Sequence, residues 1–155
     1  MSQRSVLTPP LSAATDRRHV CPWIVVERAL TTDDRARPGR WFTASRQFVP
    51  AMVDPPLMMS IVSISPPEAD KIRVHLAGYR RGVVVWEVDR DNLVGICDRI
   101  ATLSIAMPAV AQIAAAPDLS DAHCLVLSEF RVAATIRHPE DLPGIGRFVG
   151  RYFAA

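Results

Sequence analysis

The sequence predicts an α+β domain: a mainly antiparallel sheet of roughly five to six strands, with a long helix and a C-terminal helix packed on it. Three observations lead there. Strand-like apolar segments come first, from Val20 to Val88, with no helical period between them. The breaks between them are short and marked by proline or glycine, which suits hairpins, and hairpins join antiparallel strands. The apolar period then changes at Leu93 to steps of three and four, the spacing of one helical face.

The chain has 155 residues, enough for one domain, and its 49% hydrophobic and 22% charged residues suit a folded core. Residues 1–18 contain Pro9-Pro10 and little periodicity, and read as a flexible N-terminal arm before a single α+β domain over 19–155. Val20 to Ala29 is the first strand, which Pro22 places at its start or on a sheet edge. A polar loop with a solvated Asp33-Asp34 turn follows. Trp41 to Val49 and Leu57 to Ser65 read as strands, each closed by proline. Ile72, Val74 and Leu76 alternate with Arg73, His75 and Ala77, and Val83 to Val88 returns after Gly78 to Gly82. That pattern predicts a hairpin with Tyr79, Arg80 and Arg81 near its tip.

Leu93, Ile96, Cys97, Ile100, Leu103 and Met107 define the long helix, with Asp89 or Asp91 as its cap and Pro108 as its end. Ala109 to Ala116 reads as a helical continuation at a new angle. Cys124, Val126, Phe130, Val132, Ala134 and Ile136 share one parity and predict a long strand that bends near Ser128-Glu129. Pro139 opens the final helix, with Leu142, Ile145, Val149 and Tyr152 toward the core. Gly146 and Gly150 allow that helix to sit close to the sheet or to another subunit.

Composition also excludes classes of function. The net charge is +2, too small to announce a nucleic-acid or membrane partner. The longest apolar run, Ser104 to Ala116, is too short to span a bilayer, and the N-terminus has no secretory apolar core. Three cysteines do not make a disulfide scaffold, so a cytoplasmic protein with reduced thiols is expected. Lys71 is the only lysine among 18 basic residues, a bias that suits a GC-rich bacterial or phage genome.

No motif names a reaction. His19-x-Cys21 and His123-Cys124 together hold metal-ligating groups, yet they lack the knuckle spacing of a zinc site, and neither metal nor cofactor is expected. Cys97 lies on the apolar helix face and reads as inert, which leaves Cys21 beside His19 as the least unsuitable nucleophile. Gly144 to Gly150 has the wrong spacing for a phosphate cradle. Asp89-x-Asp91 and Glu140-Asp141 sit where helix caps belong rather than in a desolvated acid–base pair. The chain therefore points away from an enzyme.

The leading reading is a non-enzymatic protein-binding or assembly module that contacts itself as a homodimer, another protein, or both. Its candidate partner-binding residues are Arg40, Trp41, Arg46, Arg80, Arg81, Phe148, Arg151, Tyr152 and Phe153. A second reading is a small apolar-ligand or enzymatic pocket between sheet and long helix, with Met52, Met58, Met59 and Met107 as candidate lining. A third is single-stranded nucleic-acid binding. Residues 1–50 hold eight arginines against four acids, and Arg40 and Arg46 flank Trp41 and Phe42, a mixture that grips phosphates and stacks on bases. The bland reading of the same residues is a solvated surface over aromatic core positions.

Overall fold

The computed structural model describes residues 19–32, 35–37, 39–55 and 57–155. The N-terminal arm and the Asp33-Asp34 turn expected from sequence lie outside the described residues. Strand β1 (Val20–Val26) leads to a small hairpin, β2 (Leu30–Thr32) with β3 (Arg35–Arg37). Helix α1 (Arg40–Phe48) and a 3-10 turn (Val49–Met52) precede β4 (Met58–Ile64). A second 3-10 turn (Pro66–Lys71) runs into the short α2 (Ile72–His75), followed by β5 (Gly82–Glu87), α3 (Leu93–Ala106) and β6 (Val110–Ala115). Helix α4 (Asp121–Glu129), β7 (Ala134–Ile136), a 3-10 turn (Pro139–Ile145) and α5 (Gly146–Ala154) complete the chain.

The main sheet has the order β4-β1-β5-β6-β7, and every neighbouring pair is parallel. The antiparallel α+β expectation is thereby overturned in favour of a doubly wound α/β fold. The cause lies in the central strands. Trp23, Val25, Val83, Val85 and Ile113 pack on one face with Trp41 and Ala44 of α1 and Val149 of α5. Ile24, Val26, Val84, Trp86 and Ala114 pack on the other with α2, α3 and Leu127 of α4. Strands apolar on both faces need helices on both faces, and helical crossovers make neighbouring strands parallel. β1 is central rather than at an edge; Pro22 precedes its first pair with β5, Trp23 to Val83.

Four local expectations change with it. Trp41 to Val49 is mostly helix, with Trp41, Ala44 and Ser45 buried. The expected hairpin arm at Ile72 is α2: Ile72 and Leu76, four apart, are buried, while Val74 between them is 75% exposed. Ala109 to Ala116 is not a helix but contains β6. The long strand from Cys124 is α4 followed by β7. Ser120 caps α4 by accepting from the His123 amide, and Arg131, at φ 64, turns the chain back toward β7. The long helix α3 stands as expected, with Ile96, Cys97, Ile100 and Leu103 buried. Gly146 and Gly150 do admit a close neighbour, but it is Met52 of the same chain, on which a Cβ at either glycine would abut.

A buried polar chain ties α3 to the sheet. The Trp86 indole donates to Gln112 Oε1 at 2.9 Å, and Gln112 Nε2 donates to the Ile100 carbonyl (3.0 Å) and Ser104 Oγ (2.8 Å). Gln112→Leu keeps the volume but strips the buried indole N–H of its partner, a cost of about 1–3 kcal/mol. Urea denaturation should show that loss, with the slope of the transition unchanged.

Candidate functional site

In doubly wound sheets, ligands bind outside the carboxyl ends of the strands, where chain connections leave a central strand in opposite directions. Here that point lies between β1 and β5, because β4 lies on one side of β1 and β5 on the other. The apolar runs of both strands end in glutamate, Glu27 and Glu87, and Asp89 follows two residues later.

Glu27 is buried, yet it is not free. Its Oε2 accepts from the Trp41 amide at 2.9 Å and its Oε1 from the Phe42 amide at 3.0 Å, so a side chain from β1 caps the start of α1. Gly39 makes room for it: a Cβ there would stand 2.2 Å from the Glu27 carboxyl carbon. Burial pushes the Glu27 carboxyl above its ordinary range, the nearby Glu87 charge adds to that, and the two amides and Arg40 oppose it. Glu87 Oε2 accepts from the Arg28 amide at 2.9 Å. Asp89 Oδ1 accepts from the amides of Asp91 and Asn92, while its Oδ2 meets the Arg28 guanidinium at 3.2 Å. Asn92 Oδ1 accepts from the Asp89 amide in return, so these bonds close the turn ahead of α3; the helix's own N-cap is Asn92, not the Asp89 or Asp91 expected from sequence, and its side chain makes no cap bond. Each acid at the crevice thus already holds a backbone donor or Arg28.

Farther along the same edge, Arg137 joins β7 to α4. Its guanidinium donates to the Leu119 carbonyl, to Asp121 at 2.5 Å and to Cys124 Sγ at 3.5 Å. Asp141 accepts from the amides of His138 and Arg137, which hold its carboxyl below the usual range. Among the described residues no three His, Cys, Asp or Glu side chains gather as a metal site. Cys21 and Cys97 are both buried, and burial raises both thiols, which removes Cys21 as a nucleophile. In the native protein a thiol reagent should therefore modify half-buried Cys124 first, and Cys21 and Cys97 only on unfolding. Labelling of three thiols under native conditions would contradict this burial pattern.

Of the residues singled out from sequence, Arg40 and Trp41 open α1 beside Glu27, and the others lie away from the crevice. Arg40 and Arg46 are exposed on α1, with guanidinium carbons 5.3 Å from the Trp41 ring centre and 5.9 Å from that of Phe42. Trp41 itself is fully buried and presents no face for a stacked base. Arg80 and Arg151 are exposed. Arg81 and Tyr152, far apart in sequence, are brought together at the amino end of the sheet. The Arg81 guanidinium donates to the Tyr152 carbonyl and lies 5.7 Å from its ring centre. The Tyr152 hydroxyl accepts from the Gly82 amide at 3.1 Å and reaches the Gly82 and Ala109 carbonyls. Phe148 and Phe153 pack beside Tyr152, half-buried against the core. This group latches α5 onto β5 and the start of β6, at the opposite end from the crevice. Sequence reasoning missed Glu27, Arg28, Glu87 and Arg137; the signal was a glutamate closing two similar apolar runs.

No family model matches the chain, and no curated protein matches it. Among solved structures, a CheY-like protein (tadZ) from Pseudomonas aeruginosa superposes with a TM-score of 0.63 at 14% identity, over 84% of this chain and 93% of that one. The fold is CheY-like. The CheY-like core accounts for the five parallel strands and the helices on both faces of the sheet. At this identity the likeness speaks to fold alone. No helix among the described residues is long and apolar enough to cross a membrane.

Proposed function

We propose that this chain is a non-enzymatic protein-binding module on a CheY-like scaffold, a cytoplasmic bacterial or phage domain that works through contacts with a second copy of itself, another protein, or both. The observation that carries the reading is the occupied crevice: Glu27, Glu87 and Asp89 are bonded to amides and to Arg28 where a ligand of this fold class would sit. Titration calorimetry with magnesium, calcium and flavin mononucleotide tests the reading. No saturable heat is expected. Saturable binding that Asp89→Asn or Glu87→Gln abolishes would replace it with a ligand-binding function.

A cleft of about 350 Å3 favours one second reading, the small-ligand pocket. It lies between the 3-10 turn with α2 and helix α3, on a floor of Trp86 and Leu103, with Arg73, Asp98 and Arg99 at its walls. Met52, Met58, Met59 and Met107 do not line it. Quenching of tryptophan fluorescence by an apolar dye, relieved by Thr102→Arg at an exposed lining position, would support that reading over the first.

A further inference from the structure

We infer that β4 is a self-association edge, along which two copies of this chain pair antiparallel to make one continuous sheet of ten strands. The inference rests on the protein-binding reading and specifies its surface. β4 pairs with β1 along its whole length, from Val20–Met58 to Val26–Ile64. Among the described residues no strand pairs with its other side. A free edge presents unpaired N–H and C=O groups, and single-copy proteins blunt such edges with charge, proline, bulges or brevity. The opposite edge follows that rule: β7 has three residues and is followed at once by Arg137. β4 has none of these protections. It runs seven residues, Met-Met-Ser-Ile-Val-Ser-Ile, without charge or proline. Pro55 before it and Pro66 after it limit the pairing to this segment. Met58 is 61% exposed, and Met59 to Val62 are only half-buried.

The occupant is a second copy because the strand is complementary to itself. A two-fold axis normal to the sheet keeps each face on its own side, so only residues of equal parity can oppose one another. Centred on Ile61, the pairing sets Ile61 against Ile61, Val62 against Ser60, Met59 against Ser63 and Met58 against Ile64. No charge opposes a like charge. The α5 face expected from sequence offers less, because Phe148, Tyr152 and Phe153 already pack against the core and against one another.

Sedimentation velocity across a concentration series, together with cysteine trapping in a Cys124→Ser background, tests the inference. Wild type should shift from monomer to dimer with rising concentration. Met58→Lys with Ser63→Lys, both at exposed positions, should weaken the dimer at least about tenfold while the tryptophan-monitored unfolding midpoint stays near wild type. Ile61→Cys should crosslink with itself under mild oxidation. Ser60→Cys should crosslink with Val62→Cys but not with itself. A monomer at every concentration, a dimer indifferent to the lysines, or trapping without this register would each overturn the inference. None of these outcomes touches the crevice titration, so the two readings fail separately.

Discussion

Ile100→Asp should leave the domain unfolded or nearly so at neutral pH. Ile100 is fully buried on α3, among Ile96, Leu103 and the sheet residues Val84 and Ala114. The substitution removes a packed aliphatic side chain and puts a carboxylate where no partner stands. Together these cost about 5 kcal/mol or more, against a total stability of about 5–15 kcal/mol for a domain. Asp98→Ala, two residues earlier on the exposed side of the helix, should change stability by about 0.5 kcal/mol or less. The buried aspartate can be accommodated only in its neutral form, so acid should narrow the gap between variant and wild type. Equal urea midpoints for Ile100→Asp and wild type would refute the face assignment.

Glu27→Ala should cost about 3 kcal/mol, because it strands the Trp41 and Phe42 amides in a buried place and removes the cap of α1. Gly39→Ala should cost a comparable amount by a different route, since its Cβ would collide with the same carboxyl. The two share one contact, so their costs should not add: in the Glu27→Ala background, Gly39→Ala should be far milder. A double-mutant cycle by urea denaturation measures this, and full additivity would reject the capping role.

The pH dependence has a definite sign. The Glu27 carboxyl binds its proton more tightly in the fold than in the unfolded chain, where its ordinary value is 4.5. Its contribution to stability is therefore greatest below that value and declines as pH rises through the raised folded value. Asp141, held by two amides, and Glu68 of the second 3-10 turn, which accepts from Lys71 and Ser65, are shifted down, so their contributions are present at neutral pH and lost in acid. Subtracting the Glu27→Gln stability curve from that of wild type should isolate the falling limb. A difference that rises with pH over the same window would contradict the burial argument.

The candidate site was legible only in part. From sequence, Arg81 reads as a hairpin tip and Tyr152 as part of an interface helix; their contact is an internal latch. The neighbours Arg40 and Arg46 make Trp41 look like a binding residue in sequence, yet burial removes it from any surface. The homodimer remains a proposal, now with a strand assigned to it. Glu27 and Arg28 carry no such signal, because a glutamate next to an arginine at a strand end looks like ordinary solvated sequence. Only the approach of α1 turns Glu27 into a buried cap.

By itself the sequence determined whatever depends on neighbours a few residues away. The helix from Leu93 to its stop before Pro108 follows from a three- and four-residue apolar period and a proline that cannot continue it. The strands at Val20, Met58 and Val83 follow from β-branched apolar runs, and the glycine pair of α5 follows from its spacing. Tertiary structure decided what depends on a second layer. An apolar run buried on both faces reads the same in either strand direction, so parallel pairing emerged only once helices covered both sides. Trp41, Ala44, Ser45 and Phe48 have helical spacing, but the aromatic and β-branched residues of the segment also suit a strand. Packing on Trp23 settles it, through the indole that donates to Ser45 Oγ at 3.1 Å. The Cys124 to Ile136 parity was a coincidence of composition. Ser120 starts a helix there, and only Leu127 needs to be fully buried for that helix to dock on the core. Local propensities differ by tenths of a kcal/mol per residue, whereas burying one large side chain contributes about 1.5–3 kcal/mol, so where the two conflict the layer decides.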